Sequence, residues 1–180
     1  MSRRILCVLH QAHSTIGQVG ISLRQLGHQV HIVRPVVGQR IPRQVDRFDG
    51  LIVFGGPMSA NDDHLQGIRT ELQLIERWMH RDRPIWGICL GAQLMTRVLG
   101  AVVYKHPSEQ VEVGWYPIDP VGSGKRILTP LTHVYQWHRE GFELPSGASR
   151  LASGVVGGLF REQAYLCLLY TSPSPRDNTT

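Results

Sequence analysis

Four short apolar runs frame the first half of the chain. Ile5–Leu9, Gln29–Val33, Gly50–Phe54 and Pro84–Ile88 are rich in Val, Ile and Leu, as expected of parallel strands buried on both faces. Between them the apolar positions change period. Ile16, Val19, Leu23 and Leu26 form one stripe at helical spacing, and Leu65, Ile68, Leu72, Ile75 and Met79 form another, so two amphipathic helices are predicted in the βαβ manner. Asn61 or Asp62 is placed to cap the second helix, and Pro84 marks the following strand. The alternation predicts an α/β fold: a doubly wound, mostly parallel open sheet with helices on both faces. From Ala101 onward the pattern shifts to alternating strands at Val102–Tyr104, Val111–Pro117, His133–Trp137, Arg150–Ala152 and Leu159–Arg161, with a loop at Pro120-Val121-Gly122-Ser123-Gly124. No repeat or linker divides the chain, so a single domain is expected over residues 1–166.

Two loops at predicted strand ends carry the candidate chemistry. In Gly87-Ile88-Cys89-Leu90-Gly91-Ala92-Gln93 a thiol stands where a strand turns sharply into a helix, whose run Leu94–Leu99 stops at Gly100. A G-x-nucleophile-x-G turn needs small flanking residues so that strand and helix can approach closely, and it exposes a strained nucleophile. The helix N-terminus beyond Cys89 favours a thiolate. Upstream, Gly55-Gly56-Pro57-Met58-Ser59-Ala60-Asn61 follows the third strand. Residues without a β-carbon let a substrate carbonyl approach backbone N–H groups. The N–H groups of Gly56 and Leu90 are therefore candidates for an oxyanion hole. Both loops fall at strand C-termini, where open α/β sheets bind ligands.

These stretches, with Val113-Gly114-Trp115-Tyr116-Pro117, Tyr135-Gln136-Trp137-His138 and Gln163-Ala164-Tyr165, resemble the class I, triad-type glutamine amidotransferases. The resemblance is closest to the stand-alone proteins similar to the glutaminase domain of GMP synthase, and it covers residues from about 3 to 165. It implies a flavodoxin-like sheet and a thiol-dependent reaction on L-glutamine. Cys89 would attack the side-chain amide and release ammonia, and water would hydrolyse the γ-glutamyl thioester. Gly56 and Leu90 would hold the oxyanion, Gln93 would bind the polar end of glutamine, and Pro57, Met58, Trp137 and His138 would line the pocket. The resemblance also implies a histidine base oriented by a glutamate, within Gly-x-Gln-Phe-His-Pro-Glu after Gln-Ala-Tyr. Here Gln163-Ala164-Tyr165 runs on to Leu166-Cys167-Leu168-Leu169-Tyr170-Thr171-Ser172, so Tyr170 stands at the histidine position and Ser172 at the glutamate position. The run Cys167–Asp177 resembles a translated sequencing-library adaptor. Residues 167–180 are accordingly expected to be a non-native tail, which belongs outside fold reasoning, leaving the C-terminal part of the family fold incomplete. Leu166, Cys167, Leu168 and Leu169 are apolar and are nonetheless expected to occupy the strand position left open, with Tyr170 facing the Cys89 pocket.

Composition narrows the alternatives. The 180 residues carry 19 Lys+Arg against 14 Asp+Glu, but the basic residues are scattered without interleaved aromatics, so no nucleic-acid site is expected. No span approaches a membrane helix and no signal peptide is evident. Setting Cys167 aside leaves Cys7 and Cys89, which suits a reducing cytoplasm rather than a disulfide framework. Cys7 lies mid-strand as a small buried hydrophobe. His10-x-x-His13 and His28-x-x-His31 lack acidic or thiol partners at ligand spacing, so no metal and no cofactor are expected, and these histidines read as surface or satisfied core residues. His138 is expected to shape the pocket; a rival reading makes it the base. Without a phosphate-binding Lys-Ser/Thr loop, ATP-dependent amination would require an ammonia-accepting synthase partner. The missing His and Glu predict little glutaminase activity in this chain. Two other functions stay open: a non-catalytic binding or regulatory module of the same fold, and a γ-glutamyl peptidase-type Cys hydrolase.

Overall fold

A computed structural model describes residues 1–155, 160 and 162–166. Met1–Val98 forms one compact unit, and the described residues from Leu99 onward form a second. In the first unit, β1 (Arg4–Val8), β2 (Gln29–Val33), β3 (Gly50–Val53) and β4 (Ile85–Gly87) make a four-stranded sheet in the order β2-β1-β3-β4. Every pairing in it is parallel; Cys7 stands opposite Ile32 on one side and Ile52 on the other. Helix α1 (Gly17–Gln25) links β1 to β2, and α2 (Gln66–Met79) links β3 to β4. These connections step in opposite directions from the centre of the sheet. With right-handed crossovers, α1 therefore covers one face, and α2 with α3 (Leu90–Val98) covers the other.

The two faces are filled by alternate residues of the same strands, as a period of two requires. Cys7, Leu9 and Ile52 point towards Ile16, Val19 and Leu23 on the α1 side. Leu6, Val8, Leu51 and Val53 point the other way and are buried, as are Ile68, Leu74, Ile75 and Trp78 of α2 and Leu94 of α3. Burial pushes the Cys7 thiol up to about 12. The sign of the consequence is fixed. Below pH 9 the thiol is protonated in both folded and unfolded chains; above it only the unfolded chain loses the proton. Stability is therefore expected to fall by up to about 1.4 kcal/mol per pH unit between pH ~9 and ~12. Denaturant titrations over that range check this, with Cys7→Val expected to flatten the slope.

Several expectations need correction. Leu26 lies beyond the end of α1 and is exposed. The buried face of α2 is Gly67, Ile68, Glu71, Leu74, Ile75 and Trp78, a track rotated from the one expected through Leu72 and Met79. Leu65, not Asn61 or Asp62, holds the N-cap position of α2, without a side-chain cap; Asp62 instead accepts the Ser59 N–H at 2.9 Å. β4 stands at one end of the strand order among the described residues, and its Trp86 is 53% exposed rather than buried. The turn before it is held by Trp78, whose indole N–H donates to the Pro84 carbonyl at 2.9 Å, and by the Arg83 guanidinium over the same ring.

The second unit contains β5 (Val103–Lys105), β6 (Glu112–Pro120), a short α4 (Gly124–Ile127), β7 (His133–His138), β8 (Glu140–Phe142), β9 (Ser149–Gly154) and β10 (Glu162–Leu166). Strand β6 pairs antiparallel with β7 through Glu112–Pro117 and with β9 through Ile118–Pro120. β9 carries β10 on its other edge, and β5 pairs with β8. β8 has no counterpart in the sequence pattern. Leu159 and Arg161, expected in a strand, lie outside the described residues, as do Tyr170, Ser172 and the rest of 167–180. Leu166 is the last residue of β10, on β9.

Candidate active site

The sharpest bend in the first unit joins β4 to α3 through Ile88 and Cys89 alone. Ile88 N–H extends the ladder to the Val53 carbonyl at 2.9 Å. Two residues later the chain is helical: the Gly91 and Gln93 amides donate to the carbonyls of Ile88 and Cys89, both at 3.0 Å. To turn this abruptly Cys89 adopts φ +51°, a left-handed conformation that costs a non-glycine residue about 1–3 kcal/mol. The flanking glycines permit the turn for a steric reason. A β-carbon at Gly91 would lie 2.0 Å from the Val53 carbonyl oxygen, and one at Gly87 would lie 2.6 Å from Ala92 N. Cys89 is exposed and immediately precedes α3, where the helix dipole favours negative charge.

The Gly-Gly-Pro loop leaves β3 and packs against this bend. A β-carbon on Gly55 would sit 3.4 Å from Cys89 Cβ, and one on Gly56 would sit 3.0 Å from Leu90 Cδ2. Gly56, Cys89 and Leu90, singled out from sequence, are thus brought together. Pro57 is exposed and Met58 half-buried; Gln93 is buried in α3. The rest of the loop is tied down from α3. Arg97 donates to the Ala60 carbonyl and, at 2.8 and 3.1 Å, to both oxygens of Asp63. That guanidinium holds the Asp63 carboxyl below its usual range.

Trp137 and His138 lie on β7 in the second unit. Trp137 is 73% exposed, opposite Val113 on β6. His138 is committed at both ring nitrogens: Nδ1 lies 3.0 Å from the Glu140 carbonyl oxygen and Nε2 3.0 Å from the buried carboxylate of Glu112. Its ring also packs on Phe160, with centroids 5.1 Å apart.

Sequence reasoning missed a second histidine–glutamate pair, in the first unit. His10 follows β1, and its fully buried ring contacts the Gly55 carbonyl oxygen at 3.1 Å through Nδ1 and Glu71 Oε2 at 2.7 Å through Nε2. The available signal was position. His10 stands at the C-terminal end of the strand beside β3, where the order of the sheet reverses and ligands bind in such folds. Among the described residues no group of His, Cys, Asp and Glu is arranged to hold a metal ion, and no helix is long and apolar enough to cross a membrane.

Comparison with known proteins agrees with this architecture. The family model for glutamine amidotransferase class-I matches residues 13–156. The glutamine amidotransferase-like protein YfeJ of Salmonella typhimurium is 33% identical over 83% of this chain and 65% of its own length. The glutamine-hydrolysing GMP synthase of Wolbachia pipientis is 28% identical over 62% of this chain and 22% of its own. Among solved structures, a glutamine amidotransferase from Thermotoga maritima superposes with a TM-score of 0.81 at 26% identity, covering 91% of this chain and 71% of that one. One from Methylobacillus flagellatus gives 0.82 at 28%, covering 92% and 66%. The chain belongs to the class-I glutamine amidotransferases, a family of enzymes. It spans about two thirds of the length of YfeJ.

Proposed function

We propose that Cys89 is the nucleophile of a glutaminase site. The observation that carries this reading is the exposed thiol at φ +51° between two sterically obligatory glycines, with Gly55 against its β-carbon. The thiolate attacks the side-chain carbonyl carbon of L-glutamine, and the amide oxygen becomes an oxyanion facing Gly56 N–H and Leu90 N–H. Collapse breaks the C–N bond, and the nitrogen takes a proton to leave as ammonia. Water then cleaves the γ-glutamyl thioester to glutamate and regenerates the thiol. Gln93, Pro57 and Met58 are assigned to glutamine binding. His138, held at both nitrogens, suits a pocket-shaping role better than that of a base.

The same reading assigns residues 1–166 to the family's domain and 167–180 to a non-native tail. Tyr170 and Ser172 then stand in place of the catalytic histidine and glutamate, so the chain has little glutaminase activity. Its ammonia is assigned to a separate synthase partner in the cytoplasm. The test is alkylation by a chloromethyl ketone analogue of glutamine. Cys89 is expected to be modified stoichiometrically, with L-glutamine protecting it and Cys89→Ser unreactive. Equal modification with and without glutamine overturns the proposal.

A further inference from the structure

A histidine and a glutamate whose side chains are 0% exposed lie 2.7 Å apart between β1 and α2. Well-packed apolar residues usually serve a core at least as well as such a pair, so its presence asks for another reason. Its contacts supply one. The Gly55 carbonyl can only accept, so His10 Nδ1, 3.1 Å away, carries a hydrogen. One further proton is then shared between Nε2 and Glu71 Oε2, and the pair is neutral whichever atom holds it. The second Glu71 oxygen is buried and has no hydrogen-bond partner among the described residues. The carboxyl group is thus directed at His10 alone.

We infer that His10 and Glu71 are positioning residues that aim the Gly56 N–H at the oxyanion site beside Cys89. The inference rests on the proposed role of Cys89. A peptide unit is planar and trans, so the Gly56 N–H points opposite to the Gly55 carbonyl. Anchoring that oxygen on His10 therefore sets the direction of the donor. The anchor matters because two successive glycines leave the backbone at its least restrained, whereas an oxyanion donor stabilises developing charge only if it is already oriented. The loop is also sandwiched. A β-carbon on Gly56 would lie 2.7 Å from both Cβ and Cγ of His10, while one on Gly55 would reach Cys89 Cβ at 3.4 Å. The ring backs the glycines on one side, and the nucleophile stands on the other. Glu71, fixed among Ile68, Leu74 and Ile75 of α2, holds the ring in place.

The test compares two alkylating agents on the whole chain. The glutamine chloromethyl ketone presents a ketone oxygen to the Gly56 N–H; iodoacetamide reacts by displacement and needs no such donor. His10→Leu and Glu71→Leu are expected to lower the limiting rate of chloromethyl ketone alkylation by roughly 10- to 100-fold, as misplacing or removing a donor does. The half-saturating concentration and the iodoacetamide rate should change less than about threefold. His10→Asn, which keeps an N–H at the Nδ1 position, and Glu71→Gln should recover most of the rate. In the unsubstituted chain, nitrogen-15 spectra of the imidazole should show a slowly exchanging hydrogen on His10 Nδ1, a readout independent of whether any variant folds. A bare Nδ1, or equal loss with both reagents, overturns the inference. An unsubstituted chain that ignores the chloromethyl ketone while alkylating with iodoacetamide removes the proposed function, and the positioning role with it.

Discussion

Glutamine hydrolysis is expected to rise by roughly 10² to 10⁴-fold when Tyr170→His and Ser172→Glu are introduced together, the range a positioned acid–base group contributes. In the proposed reading, the two substitutions supply the histidine and glutamate missing after Gln163-Ala164-Tyr165. The unsubstituted chain already has the bend, the exposed thiol and the glycine loop beside it. What it lacks in this reading is a group to protonate the departing nitrogen and then to activate water. A histidine alone should give part of the gain, and the glutamate should add to it by fixing the ring's orientation. Ammonia release measured with a coupled assay reads the effect, and adding Cys89→Ala to the pair should return the rate to background. No increase in the double variant, with its fold intact, would show that residues 170 and 172 do not stand at the family's histidine and glutamate positions.

Gly91→Ala is expected to cost about 3 kcal/mol or more, at the upper end of what overpacking a core does. The reason is local. The added carbon would lie 2.0 Å from the Val53 carbonyl oxygen and 2.7 Å from its carbon, and both neighbours are backbone of a central strand. Neither can rotate away, so either α3 lifts off the sheet or β3 bends. For a chain of this size the melting temperature should fall by roughly 10 °C, with loss of Cys89 alkylation by the glutamine analogue. Gly100→Ala is the control. Gly100 has φ +80°, but a β-carbon there would meet nothing within 4 Å, so only the strain of a left-handed residue, about 1–2 kcal/mol, is expected. Equal melting points for the two variants would refute the close-approach account of the bend.

Much of this bend was legible in the chain because its geometry is local. Gly87, Cys89 and Gly91 lie within one turn, and their spacing already dictates a strand meeting a helix at a distance only glycine allows. The sheet was legible for a similar reason, since a period of two against a period near four separates strands from helices. What escaped depends on which face of an element its neighbours choose. Helix α2 has apolar residues on two adjacent tracks, and the alternative through Leu72 and Met79 matched the same periodicity. Packing selected the track through Leu74 and Trp78, which carries Glu71 into the interior. A glutamate in that position makes sense only opposite His10, 61 residues away, and no local rule joins the two. Trp86 and Leu26 erred in the opposite sense: both are large and apolar, and one lies at the end of the strand order while the other falls beyond its helix.

The central claim is that one particular sulfur takes an acyl-type substrate at the bend. Treatment with the glutamine chloromethyl ketone, followed by trypsin and mass spectrometry, reads this directly. The account predicts the label on the peptide Asp82–Arg97, which contains Cys89, and its disappearance when L-glutamine is present. A label distributed over Cys7 or Cys167, or one on Cys89 that glutamine does not displace, would contradict it.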